Sequence, residues 1–221
     1  MGPLRSPFAV PGIAILVDRQ GDTEVGFAGV DGTGAPCDAD TIFPLASTSK
    51  LATGLAVLRL VADGAIDLDA SLAAYLPDAA AAAAGGGPTI RALLTHTAGL
   101  PLDLTPDVLP YAPGLVAGDV IAACQRVPVV HPVGEAVRYS NVGYGLLGAV
   151  VARVAGEPLA AVVRRLVLNP LGDGAWFGEE PPRPVAYVAD VKSRWTGTEH
   201  EPINSPFWRG LALPWAGVTA T

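Results

Sequence analysis

The sequence predicts an α+β fold in which an antiparallel strand pair precedes a largely helical region, and three observations carry that expectation. Two apolar runs, 12–17 and 25–30, flank the polar, glycine-containing stretch 18–23, the pattern of a β-hairpin. Over 47–63, 142–155 and 159–168 the sequence instead reads as helix, with apolar residues packed into one stripe or through a whole segment. Regular strand–helix alternation is missing, so the doubly wound sheet of an α/β-hydrolase is excluded, as is its Gly-x-Ser-x-Gly turn.

Taken in order, residues 31–36 form a loop whose glycines lack a following helix, which makes a phosphate cradle unfit. A helix is expected from about Ser47 to Asp63, with Gly64 as its left-handed stop and Leu51, Leu55, Leu58 and Val61 as its buried stripe. A short helix over 70–75 ends before Pro77. The run 79–87, six alanines and three glycines, reads as a surface linker inside one domain. Thr89 caps a helix over 90–94. The proline-rich stretch 102–118 has no periodicity and is expected to form a substrate-side wall. Helices near 119–124, 142–155 and 159–168 follow, the last two stopped at Gly156 and at Asn169-Pro170-Leu171-Gly172. From Glu179 the chain is expected to be loop. The division is therefore a hairpin region over 1–45, a helical region over 46–178 and an irregular tail over 179–221, all within a single domain.

Composition narrows the classes. Half of the 221 residues are hydrophobic and 16% are charged, which suits a globular chain with one sizeable core. The net charge of −7, with no cluster of Lys or Arg, argues against a nucleic-acid surface; Arg164-Arg165 reads as a solvated helix face. Cys37 and Cys124 lie far apart with neither Cys-x-x-Cys nor His spacing, so free thiols in a reducing compartment are expected. Prolines stand where an export signal would be apolar, and no apolar run approaches 18 residues. A cytoplasmic protein without membrane association is the expectation. Met1-Gly2 with Ser6 fits a loose acylation pattern too short to carry weight.

The chemistry-bearing stretch is Ser47-Thr48-Ser49-Lys50. A three-residue step puts Ser47 and Lys50 on one face of the first helical turn, where hydroxyl and amine can meet as nucleophile and base. With seven serines and two lysines in the chain, chance would yield a Ser-x-x-Lys roughly 0.06 times. The plainer alternative is a serine cap with a solvated Lys50, although a cation in the first turn opposes the helix dipole. A second cluster, Tyr139-Ser140-Asn141, precedes the helix at 142. Residues two apart in extended chain face one way, so Tyr139 and Asn141 can address one site while Ser140 turns aside. A phenol against an ammonium can take a serine proton; the alternative is a core Tyr and a capping Asn. His96 reads as a structural hydrogen-bonder, and His131 and His200 lack metal spacing.

Together the two clusters resemble the serine β-lactamase and penicillin-binding-protein superfamily, whose Ser-x-x-Lys is followed by Ser-x-Asn or Tyr-x-Asn. The Tyr-x-Asn form is similar to the class C β-lactamase, D-alanyl-D-alanine carboxypeptidase and family VIII esterase branch. Leu93-Leu94-Thr95-His96-Thr97-Ala98-Gly99-Leu100-Pro101, Tyr139-Ser140-Asn141-Val142-Gly143-Tyr144 and Pro170-Leu171-Gly172 extend the likeness over roughly residues 8–221. The resemblance implies a β-lactamase-like fold, an antiparallel sheet flanked by helices plus a helical subdomain. It further implies an acyl-transfer site needing no metal or organic cofactor. Ser47 would attack an ester, amide or lactam carbonyl, Lys50 and Tyr139 would share the base work, Asn141 would hold Lys50 and the substrate, and the Ser47 N–H would supply half an oxyanion hole.

The resemblance also implies a third motif, Lys-Thr-Gly or His/Lys-x-Gly, and no such tripeptide occurs here. The expectation is that the C-terminal sheet strands are missing, that the hairpin keeps an open apolar edge, and that another chain or self-association completes the sheet. Two functions from different classes follow. One is a serine hydrolase acting on a small-molecule acyl substrate; the other is a catalytically impaired homologue or fragment serving as a binding or regulatory module.

Overall fold

A computed structural model describes residues 10–77, 81–189, 191 and 193–221. The acylation-type pattern in residues 1–6, the start of the alanine run and Lys192 lie outside the described residues.

Strands β1 (Gly12–Arg19) and β2 (Asp22–Gly29) pair antiparallel, Gly12 opposite Gly29 and Arg19 opposite Asp22. The connection is only Gln20-Gly21, with φ of 57° and 91°, the paired left-handed conformation that matches strand twist in a two-residue hairpin. The ladder therefore runs two residues beyond the first apolar run and begins three residues before the second. Ile15, Leu16 and Val25 are exposed on it, and among the described residues no third strand joins it.

Strand β3 (Phe43–Pro44) leads through a tight turn, Ala46–Thr48, into α1 (Ser49–Ala62), which Gly64 stops at φ 72°. The expected buried stripe is corrected: Leu51, Leu55 and Leu58 are 66%, 48% and 46% exposed. The inward face is Ser49, Lys50, Ala52, Thr53, Ala56, Val57 and Leu60. Its polar members can be buried because each is bonded: Thr53 Oγ1 donates to Pro214 O at 2.6 Å, and Ser49 Oγ accepts from Val218 N at 3.0 Å. Helix α1 is thus apolar on two faces, and the inward one combines hydrogen-bonded Ser49, Lys50 and Thr53 with Ala52, Ala56, Val57 and Leu60.

A single turn, Leu72–Ala74, replaces the predicted short helix. The linker expectation is corrected where it can be seen: Ala82 and Ala83 are buried, their methyls turned in where the chain doubles back. Gly87, at φ 68°, is required there, since a Cβ would lie 2.5 Å from Ala82 O. Helix α2 (Ile90–Leu94) is capped by Thr89, whose hydroxyl accepts from Ala92 N at 3.1 Å.

After the long loop come α3 (Ala117–Gln125), α4 (Asn141–Ala155) and α5 (Leu159–Val163), the last running on through a π turn, Arg164–Leu168. Helix α4 is the hub, touching α1, α2, α3 and α5, and its residues 142–151 are all buried. No single helix among the described residues is long and apolar enough to cross a membrane, and α4 is apolar because protein surrounds it.

The tail is not the loop expected from Glu179. Beyond β4 (Ala175–Phe177) it forms α6 (Pro206–Gly210) and β5 (Val218–Ala220), and β5 is the middle strand of an antiparallel sheet ordered β3-β5-β4. Leu211, Leu213, Trp215 and Val218 enter the core, and the buried Arg209 is forked onto Glu180. Elements of two or three residues are too short to show a period, which is why the sequence does not announce them.

Candidate active site

The tight turn before α1 presents Ser47 to solvent and sends Lys50, one turn on, into the interior at 5% exposure. Ala46 sits at φ 43°, an unusual backbone for alanine and a local strain immediately ahead of the serine. Lys50 Nζ donates to Ser47 Oγ at 3.3 Å and to Trp215 O at 3.3 Å. The solvated-lysine alternative fails on that burial. The serine-cap alternative fails too, because neither the turn nor α1 has a side-chain cap at its start.

Tyr139 reaches the same point from far along the chain. Lys50 Nζ lies 4.5 Å from the centre of its ring, and the phenol is 45% exposed, open to an incoming molecule. Partial burial pushes the phenol pKa up, but hydrogen bonding with Lys50 and Ser47 and the lysine charge outweigh it, so the net direction is down. Ser140 does turn aside: it is the cap of α4, accepting from Gly143 N at 3.0 Å and donating to Pro101 O at 2.6 Å.

Asn141 departs from the expected arrangement. Its Nδ2 donates to Asp103 Oδ2 at 3.1 Å, while Oδ1 is buried without a partner among the described residues. It makes no hydrogen bond to Lys50, whose amine donates to Ser47 and Trp215 and lies over the Tyr139 ring. Asp103 fixes this orientation, because a carboxylate only accepts and must face the amide nitrogen.

Two partners were illegible in the sequence. The Trp215 carbonyl is a backbone acceptor that any residue could supply. Asp103 stands in an aperiodic loop with nothing to distinguish it from its neighbours. His96 was readable, and it is the structural bonder expected: its Nδ1 accepts from Ser140 N at 3.1 Å, and its ring lies 4.5 Å from that of Tyr139 and 5.2 Å from that of Tyr144. Its φ is 59°.

Burial and then the charge of Lys50 lower the His96 pKa. A base with a lowered folded pKa contributes stability fully above its unfolded value near 6.5 and loses it as pH falls through the folded value. The expected result is a melting temperature that declines below about pH 6.5. His96→Asn should flatten that decline, since asparagine tolerates positive φ and keeps an acceptor for Ser140. Equal acid slopes in the two proteins would remove His96 from the explanation.

A family model for beta-lactamase matches residues 5–221. Esterase EstB of Burkholderia gladioli is 39% identical over 166 residues, covering 68% of this chain and 42% of that protein. Penicillin-binding protein 4 of Amycolatopsis lactamdurans is 33% identical over 173 residues, covering 76% and 45%. Among solved structures, the octameric penicillin-binding protein homologue from Pyrococcus abyssi superposes with a TM-score of 0.77 at 26% identity, covering 96% of this chain and 50% of that one. The chain thus spans under half the length of these two curated relatives. A match over nearly all of the sequence, seated on the fold described above, makes the chain a member of the beta-lactamase family.

Proposed function

We propose that the chain carries the acylation centre of a serine hydrolase acting on an ester, amide or lactam carbonyl. The supporting observation is the exposed Ser47 hydroxyl bonded to a buried lysine amine, with a phenol of lowered pKa drawn to both. Ser47 Oγ adds to the carbonyl carbon while its proton passes to Lys50 or Tyr139. The Ser47 N–H supplies one oxyanion donor. Collapse of the adduct expels the leaving group, which takes up that proton, and water then cleaves the acyl-enzyme. Asn141, tied to Asp103, borders the substrate rather than holding Lys50.

The partner is a small-molecule acyl substrate. The exposed Ile15, Leu16 and Val25 also suit a strand from a second chain or copy along the hairpin edge, and a purely monomeric mass by light scattering would count against that. A reducing, cytoplasmic location fits the two free thiols, of which Cys124 is pushed up to about 12 by burial.

The test is covalent labelling. Incubation with a fluorophosphonate or a penicillin, followed by mass spectrometry, should find the adduct on Ser47 and none on Ser47→Ala. A folded protein that takes no adduct would support the other class, a binding or regulatory module descended from an enzyme.

A further inference from the structure

Tyr139 lies outside any helix or strand and is 45% exposed, so neither regular structure nor burial holds its phenol beside Lys50. The contacts that do hold it converge on His96. The N–H groups on either side of Tyr139 both end there: Arg138 N donates to the His96 carbonyl at 2.7 Å, and Ser140 N donates to Nδ1 at 3.1 Å. The imidazole then lies against the Tyr139 ring, centres 4.5 Å apart, and against the Tyr144 ring, 5.2 Å apart. Lys50 Nζ stands 4.5 Å and 5.7 Å from the centres of the same two phenol rings. One imidazole therefore packs on both of the rings that border the amine.

His96 can fix its neighbours because it is itself fixed. The turn that carries it is tied back to α2 by Thr97 N on Ala92 O at 2.9 Å. The same turn holds two earlier points of the chain that leads to Tyr139, through Gly134 N on Thr97 O at 2.8 Å and Val130 N on Gly99 O at 2.9 Å. The φ of 59° at His96 is a strained backbone for a residue with a side chain, and these bonds keep it there. Nδ1 accepts from Ser140 only while the ring is neutral with its proton on Nε2, and burial together with the nearby Lys50 charge favours that form.

Resting on the reading of Tyr139 as an acceptor of the Ser47 proton, we infer that His96 is a positioning residue for that phenol. Its carbonyl and ring nitrogen set the chain on either side of Tyr139, and its ring face sets the side chain against Lys50. The hydrogen-bonding role of His96 thereby becomes a role in the reaction.

The test is a double-mutant cycle on the 221-residue chain, read by mass spectrometry of fluorophosphonate labelling, in which Ser47 Oγ bonds to phosphorus and fluoride leaves with the serine proton. His96→Asn tolerates the positive φ and keeps an acceptor for Ser140, but it takes away the ring. At about pH 8, where an imidazole is neutral, this change should slow labelling about ten- to hundred-fold, the scale of misplacing a group by about an ångström. In a Tyr139→Phe background the same change should cost less than about two-fold, because the phenol it acts through is already gone. His96→Gly adopts the positive φ freely and leaves space for a ring. Added imidazole should restore labelling of His96→Gly and do nothing for His96→Asn, whose side chain fills that space.

A loss as large in the Tyr139→Phe background as without it marks a merely structural residue and overturns the inference, as does a His96→Asn rate within about three-fold of the unaltered protein's. Either result leaves Ser47 standing as nucleophile. If His96→Asn does not fold, the glycine variant decides, and a rate that imidazole does not raise overturns the inference. No adduct on the folded, unaltered protein overturns the inference and the nucleophile together.

Discussion

Lys50→Met lowers the rate at which a fluorophosphonate labels Ser47 by about 10²- to 10⁴-fold, the range associated with losing a positioned base. Methionine has nearly the length of lysine and no charge, so it fills the same buried path beside Tyr139 and Tyr144. It leaves the Trp215 carbonyl without its donor, which costs about 1–3 kcal/mol. The folded state should therefore survive with a modestly lower melting temperature while acylation collapses. Stopped labelling read by intact mass, beside a thermal melt, separates the two effects. If the variant is labelled within about three-fold of the unaltered protein, Lys50 is not the base, and Tyr139 would have to take the proton without it.

Gly145→Val has the largest expected effect on stability. Helix α4 approaches α3 and the tail so closely at Gly145 that a Cβ there would lie 2.3 Å from Cys124 Sγ and 3.2 Å from the Trp215 ring. Neither neighbour can retreat, because Cys124 is fully buried in α3 and the Trp215 backbone is held through Lys50. Overpacking of this kind costs about 3 kcal/mol. For a chain of this size that is a fall of about 6–12 °C in melting temperature by calorimetry. The variant should also label slowly, since moving Trp215 moves the carbonyl that accepts from Lys50. Gly118→Ala is the control: a Cβ at that position of α3 meets nothing within 4 Å, so the change stays within about 1 kcal/mol. An unchanged melting temperature for Gly145→Val would mean that α3 and α4 sit further apart than described.

The parts of the site that the sequence exposes depend on local geometry. Ser47 and Lys50 meet because one helical turn brings them together, and Gly156 stops α4 where expected, although Ser140 rather than Asn141 caps its start. What it concealed depends on distant packing. The leucines at 51, 55 and 58 form a true helical stripe, yet another face is the buried one, where hydrogen-bonded Ser49, Lys50 and Thr53 lie with Ala52, Ala56, Val57 and Leu60. Asn141 was expected on Lys50, but a carboxylate from the 102–118 loop claims its amide nitrogen. The three residues of β5 carry too little pattern to be recognised, although they occupy the centre of a sheet.

The amine that would activate Ser47 is held by a carbonyl 165 residues further along the chain. Ser47 and Lys50 leave the ribosome early, side by side, but the carbonyl that holds Lys50 emerges long after them. Closing so long a loop is slow, so hydrolytic competence should arrive as one of the last events of folding rather than growing with the helix that bears it. A nascent chain would then stay chemically inert toward acyl donors while it is still being made.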